Sequence, residues 1–158
     1  MKKIAMMVVA ALALAGCSSG SSEPAASSTP VAQVSVTGAY ILPNGDVAGM
    51  FGDVANAGSE SVKLTGGSAP DVGMVQIHEY VKDGTTETMK EIPGGLEIPA
   101  GGSVALKPGG YHVMMMQVTA DWQVGDTVPV TLNLSDGTSV TVQAEVKQRE
   151  GMADGSMS

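Results

Sequence analysis

Two consecutive stretches of this chain alternate apolar and polar residues with a strict period of two. Val128, Val130, Leu132 and Leu134 are interleaved with Pro129, Thr131 and Asn133; after Ser135-Asp136-Gly137 the pattern resumes as Val140, Val142, Ala144 and Val146 against Thr141, Gln143 and Glu145. Successive side chains of a strand point to opposite faces, so each stretch has one apolar face, and the Asp-Gly step between them marks a hairpin turn. Similar punctuation recurs at Pro43-Asn44-Gly45-Asp46, Asp83-Gly84, Pro93-Gly94-Gly95, Pro99-Ala100-Gly101-Gly102 and Pro108-Gly109-Gly110. Between these turns lie short apolar segments at 34–42, 47–55, 62–64, 72–81, 86–92, 104–106 and 111–118. None sustains the 3.6-residue period of a helix. The chain is therefore expected to be all-β, an antiparallel sandwich or Greek-key barrel over residues 31–147.

The amino terminus follows another pattern. Lys2 and Lys3 precede an apolar run, 4–15, that ends in Leu14-Ala15-Gly16-Cys17. The run holds 12 residues, too few to span a hydrocarbon core of about 30 Å, which takes about 20. A basic start, a short apolar run and a small-residue ending read as a secretory signal, residues 1–16. The LAGC ending resembles the bacterial lipobox, which implies cleavage before Cys17 and a lipid on that Cys. Ser18 to Pro30 (SSGSSEPAASSTP) lacks apolar periodicity and completes, with Cys17, a flexible tether over 17–30. Residues 148–158, with Met152 and Met157, read as a loose tail. The expected location is extracytoplasmic, on the outer side of a bacterial membrane.

Charge narrows the partners. The chain carries 16 acidic against 8 basic side chains, and loss of Lys2 and Lys3 with the signal leaves 6 basic ones. So acidic a domain repels nucleic-acid phosphates and does not cling to anionic lipid, so the acyl group alone has to hold it at a membrane. Nucleophilic chemistry finds little support, since no Ser sits in a G-x-S-x-G elbow and the only Cys is the lipid anchor. The Gly pairs at 94–95, 101–102 and 109–110 lie between strands with no following helix, so they form turns and not phosphate loops. Glu87 and Glu91 read as solvated charges on a β surface.

Sulfur is distributed unusually, with 11 Met, one Cys and only 3% aromatic residues. In Tyr111-His112-Val113-Met114-Met115-Met116-Gln117, alternation puts His112, Met114 and Met116 on one face and Val113 and Met115 on the other. Side chains two apart on a strand face are separated by about 7 Å at the backbone, so His112 and Met114 are able to converge on one ion. Over 74–81, Val75, Ile77 and Val81 share one face, and Met74, Gln76, His78 and Tyr80 the other. Taken singly, each His is better accounted for as an ordinary surface or hydrogen-bonded residue and each Met as a core filler.

Together they resemble a known arrangement. His78, ten intervening residues, Met89, then twenty-two, then His112-Val113-Met114, is similar to the His/Met motif of the periplasmic copper chaperones called PCu(A)C. The segments IHEY at 77–80, MKEIPGGLEIPAGGSVALKPGGYHVMMM at 89–116 and GDTVPVTLNLSDGTSVTVQAEV at 125–146 read like the same family. The resemblance implies a cupredoxin-like β-barrel binding Cu(I) through His78, Met89, His112 and Met114 and passing copper toward the CuA centre of cytochrome c oxidase.

The chemistry agrees with that implication. Soft thioethers favour Cu(I), whereas Zn(II) prefers thiolate, imidazole and carboxylate. A blue-copper electron carrier needs a Cys thiolate, and the single Cys lies in the anchor. Thioethers also persist outside the cytoplasm, where paired ligand cysteines would oxidise to a disulfide. The function expected is therefore a lipid-tethered, monomeric Cu(I) chaperone, not an enzyme. Copper storage or detoxification, and a metal-free β-sandwich binding module with a Met-filled core, are the alternatives. Met116, Met152 and Met157 are candidates for accessory roles, and Trp122 for packing at a strand end.

Overall fold

The computed structural model describes residues 33–149; the signal, Cys17, the tether, and Met152 and Met157 of the tail lie outside them. Ten strands follow one another: β1 (Val34–Asn44), β2 (Val47–Asn56), β3 (Val62–Ser68), β4 (Val72–Asp83), β5 (Thr86–Glu91), β6 (Leu96–Ile98), β7 (Ser103–Leu106), β8 (His112–Val118), β9 (Thr127–Leu134) and β10 (Ser139–Val146). Each apolar segment read from the sequence is one of them. The exception is β6, whose three residues are too few to display a period.

The strands form one sheet in the order β5-β4-β8-β2-β1-β10-β9-β3-β6, with β7 also paired to β2. The all-β expectation holds, but the sheet is mixed and not purely antiparallel, because β1 and β10 run parallel through Tyr40↔Glu145 and Ile41↔Val146. The sheet rolls so that β3 comes alongside β4 without being paired to it. One core fills the roll, and Ile41, Met50, Leu64, Ile77, Met115 and Leu132 are among its fully buried side chains.

Two hairpins have two-residue loops. Asn44 pairs with Val47 across Gly45-Asp46, and Asp83 with Thr86 across Gly84-Thr85. Gly45 has φ of 65° and Gly84 of 64°, the left-handed backbone that such tight loops require at their first position and that glycine adopts without steric cost.

A bulge reverses the phase of β1. From Thr37↔Asp53 to Tyr40↔Phe51, β1 advances three residues while β2 advances two. Gly38, with φ of 62°, takes up the extra residue. Before it Val34 points to the core, after it Ile41 does. Tyr40 and Leu42 are thereby delivered to the opposite, outer face of the sheet, the face that carries the two histidines.

Candidate metal centre

The expected ligands arise on three adjacent strands. β8 lies between β4 and β2, and β5 is hydrogen-bonded to the far side of β4. The β4–β8 register places His78 directly opposite His112, Gln76 opposite Met114 and Met74 opposite Met116. On the other side of β4, Tyr80 faces Met89 and His78 faces Glu91. The alternation expected from the sequence holds here: Ile77, Val113 and Met115 are buried in the core while the His and Met residues between them occupy the reverse face.

That face is not a wetted surface at its centre. His112 is only 2% exposed. Its ring lies 5.8 Å from that of His78, 5.3 Å from Tyr80 and 6.1 Å from Phe51, centroid to centroid, and Phe51 lies 5.3 Å from Tyr40. Phe51 leans over Gly49, where an added Cβ would stand 2.9 Å from the ring. A cavity of about 670 Å³ opens beside this row, bordered by Tyr40, Phe51, Tyr80, Met89, His112 and Met114, with Lys147 and Arg149 also on its wall. Three of the four expected ligands thus line one cavity; His78 stands behind it, edge-on to His112 at an interplanar angle of 65°.

The hydrogen bonds fix which nitrogens are available. The turn between β7 and β8 closes through Lys107 N–H to Tyr111 O, 2.8 Å, and Gly110 N–H to Lys107 O, 3.0 Å. It aims the Gly110 carbonyl at His112 Nδ1, 3.1 Å away. A carbonyl only accepts, so Nδ1 carries the proton and Nε2 keeps its lone pair. In His78 the roles invert. Nε2 lies 3.2 Å from Gln76 Oε1 and donates to it, leaving Nδ1 bare, buried and without a hydrogen-bond partner. A buried acceptor left unmatched costs about 1–3 kcal/mol. A soft cation between the two rings would relieve that cost, and this donor set of imidazole nitrogen and thioether sulfur fits Cu(I). Among the described residues, no group of three or more His, Cys, Asp or Glu side chains is placed to hold a metal ion.

Electrostatics favour the neutral form of His78. Burial is the main reason its pKa falls below the ordinary imidazole value, the nearby His112 adds to the effect, and Glu91 on β5 opposes both. The other acidic candidate behaves as the sequence suggests: Glu87 pairs with Lys82 at 2.8 Å on the exposed hairpin. Trp122 packs, partly buried, against the core.

Sequence reasoning assigned no role to Gln76, Tyr80, Phe51 or Tyr40. Alternation already placed Gln76 and Tyr80 beside His78, so the signal for those two was present. Alternation along β2, with Ala48, Met50 and Val54 in the core, also places Phe51 on the outer face, whereas Tyr40 had no such signal, because its face depends on the bulge at Gly38.

The family model described as "Putative lipoprotein LpqE-like" matches residues 25–146. A relative from Leifsonia xyli subsp. xyli, "Putative lipoprotein Lxx21020", is 37% identical over 132 residues, which is 81% of this chain and 80% of that protein. Among solved structures, the Cu(I) form of DR1885 from Deinococcus radiodurans is similar at a TM-score of 0.60 and 28% identity, over 82% of this chain and 87% of that one. A copper-bound PCuAC domain from PmoF2 shares the fold, with a TM-score of 0.62 and 20% identity over 75% of this chain and 96% of that one. The His/Met face thus sits on the same all-β fold as the PCuAC copper-chaperone domains, and with a family match running from the tether to the end of β10, the chain belongs to the LpqE-like lipoprotein family.

Proposed function

We propose that this protein is an extracytoplasmic Cu(I) chaperone, tethered through a lipid on Cys17, that carries copper toward the CuA site of cytochrome c oxidase. In this reading residues 1–16 are a discarded signal, 17–30 a tether, 31–147 the copper-carrying domain and 148–158 a tail. The single observation that carries it is the pair of facing imidazoles, with His78 Nδ1 buried and unpartnered next to a His112 whose Nδ1–H is held by Gly110. The similarity to the Cu(I) form of DR1885 supports the same conclusion.

His78 supplies Nδ1 and His112 supplies Nε2; Met114 brings sulfur from the same strand as His112, and Met89 from the outermost strand. All four are neutral donors, so Cu(I) is held without covalent commitment or full charge compensation. Release then proceeds by stepwise exchange, an incoming thiolate displacing one ligand at a time. Met89 is the first to yield: it is 44% exposed and belongs to β5, which is hydrogen-bonded to the sheet on one side only.

Titration of Cu(I) against a competing chelator under reducing conditions tests this reading. One tight site is expected, weakened at least about 100-fold by His112→Ala, the scale set by loss of a buried, hydrogen-bonded ligand. X-ray absorption is expected to count two nitrogen and two sulfur neighbours; a shell of nitrogen and oxygen alone would sink the proposal. Normal oxidase activity in cells lacking the protein would point to copper storage or detoxification and away from delivery.

A further inference from the structure

The outer face of β4 and β8 continues past the proposed site. Beyond the His78↔His112 and Gln76↔Met114 pairs, the next pair on the same face is Met74↔Met116. Residues directly opposite on neighbouring antiparallel strands have Cβ atoms about 5 Å apart, within reach of two flexible thioethers meeting on one ion. Met74 is 46% exposed. Met116 is half-buried and pairs on its other side with Val47, a residue of the cavity wall. Packing explains the chain's other described methionines that the proposed site leaves over, since Met50 and Met115 are fully buried in the core. It does not explain Met74, whose side chain holds much of its surface in water where a polar residue would be as well placed.

We infer that Met74 and Met116 form a second, weaker Cu(I) station, a two-sulfur site further along the same sheet face, through which copper enters the His/Met centre. The inference rests on the copper-chaperone reading and extends it to a second position. Two neutral thioethers suffice for Cu(I), a d10 ion content with two soft ligands, but hold it less firmly than four donors that include imidazole. Met114 lies one pair further in, about 7 Å along the strand from Met116. It can therefore bond the ion before Met116 lets go, so the passage needs no naked copper intermediate. The move exchanges one sulfur ligand for another with no change in oxidation state and no proton transferred. The acidic balance of the chain, −8 in formal charge, favours a cation arriving at such an exposed position.

Methyl-labelled methionine NMR of the purified full chain during Cu(I) titration distinguishes the two positions. The Met89 and Met114 methyl signals are expected to shift with the first equivalent, and those of Met74 and Met116 with the second. Assignments come from Met74→Leu and Met116→Leu, substitutions that keep bulk and polarity and leave the core untouched. The double variant is expected to keep the first equivalent within about 3-fold of its original affinity, lose the second, and take up Cu(I) from a thiolate-bound donor about 10-fold more slowly. A first equivalent on Met89 and Met114 followed by no response at Met74 and Met116 overturns this inference alone. So does a second equivalent that moves only Met152 and Met157. Absence of the first equivalent overturns the functional reading and this one with it.

Discussion

His78 and His112 sit side by side yet present different nitrogens, and each choice is made by a single hydrogen-bond acceptor. The Gly110 carbonyl cannot change its role, so His112 is locked. Gln76 is a side chain and can be removed. Replacing it by Leu lets the His78 proton move to Nδ1, the nitrogen proposed above as the copper ligand. Loss of such an outer partner commonly costs 10–100-fold in metal affinity. Gln76→Leu is accordingly expected to weaken Cu(I) binding by about 10-fold while thermal stability changes little, and nitrogen NMR of the imidazole will show the proton on Nδ1. Acid has a related effect. Folded His78 binds its proton less readily than the unfolded chain does. Below the ordinary imidazole pKa of about 6.5 the unfolded state therefore takes up more protons, and stability present at neutral pH is lost as pH falls. Melting of the metal-free protein from pH 7 to pH 5 should show a falling midpoint, with a flatter profile in His78→Gln. Cu(I) affinity should fall over the same interval, because a proton and copper compete for the same lone pairs.

At the level of the strands, the face-alternation of β4 and β8 was open to a reader of the sequence, and with it the pairing of chemistry on His78, His112 and Met114. Nothing in the spacing reveals the bulge in β1, since a strand with Val34 in phase and Ile41 out of phase looks merely irregular until Gly38 is seen to absorb one residue. The place of Tyr40 in the aromatic wall beside His112 was hidden for that reason. A side chain in the left-handed backbone of Gly38 costs about 1–2 kcal/mol. Gly38→Val should therefore lower the melting midpoint by several degrees without touching the core, because no atom lies within 4 Å of the position where its Cβ would be built. Deleting Gly38 is the harsher change. It turns Ile41 outward and Tyr40 inward, and is expected to abolish cooperative unfolding, as followed by circular dichroism.

For the molecule as a whole, the order of strands was the least legible property. Period-two patterning announces strands but carries no record of their partners, and the parallel contact of β1 with β10 joins segments about a hundred positions apart in the chain. Shortness concealed β6 for a different reason. The consequence of that parallel contact is testable: a chain ending at residue 138 lacks β10 and leaves β1 and β9 with bare edges in the middle of the sheet. It is expected to remain unfolded and protease-sensitive, whereas a chain ending at residue 149 should melt like the full protein.

The same contact sets the timing of folding during synthesis. A polypeptide emerges amino terminus first, so β1 leaves the ribosome early and waits for its central neighbour until the last strand has been made. Pairings between such distant segments form late and slowly, because the whole intervening loop must be closed first. The nascent chain consequently stays an extended, threadable polymer for as long as it is being made. If residues 1–16 are the cleavable leader proposed above, that delay keeps the passage through a narrow translocation pore open, and the finished structure assembles on the far side.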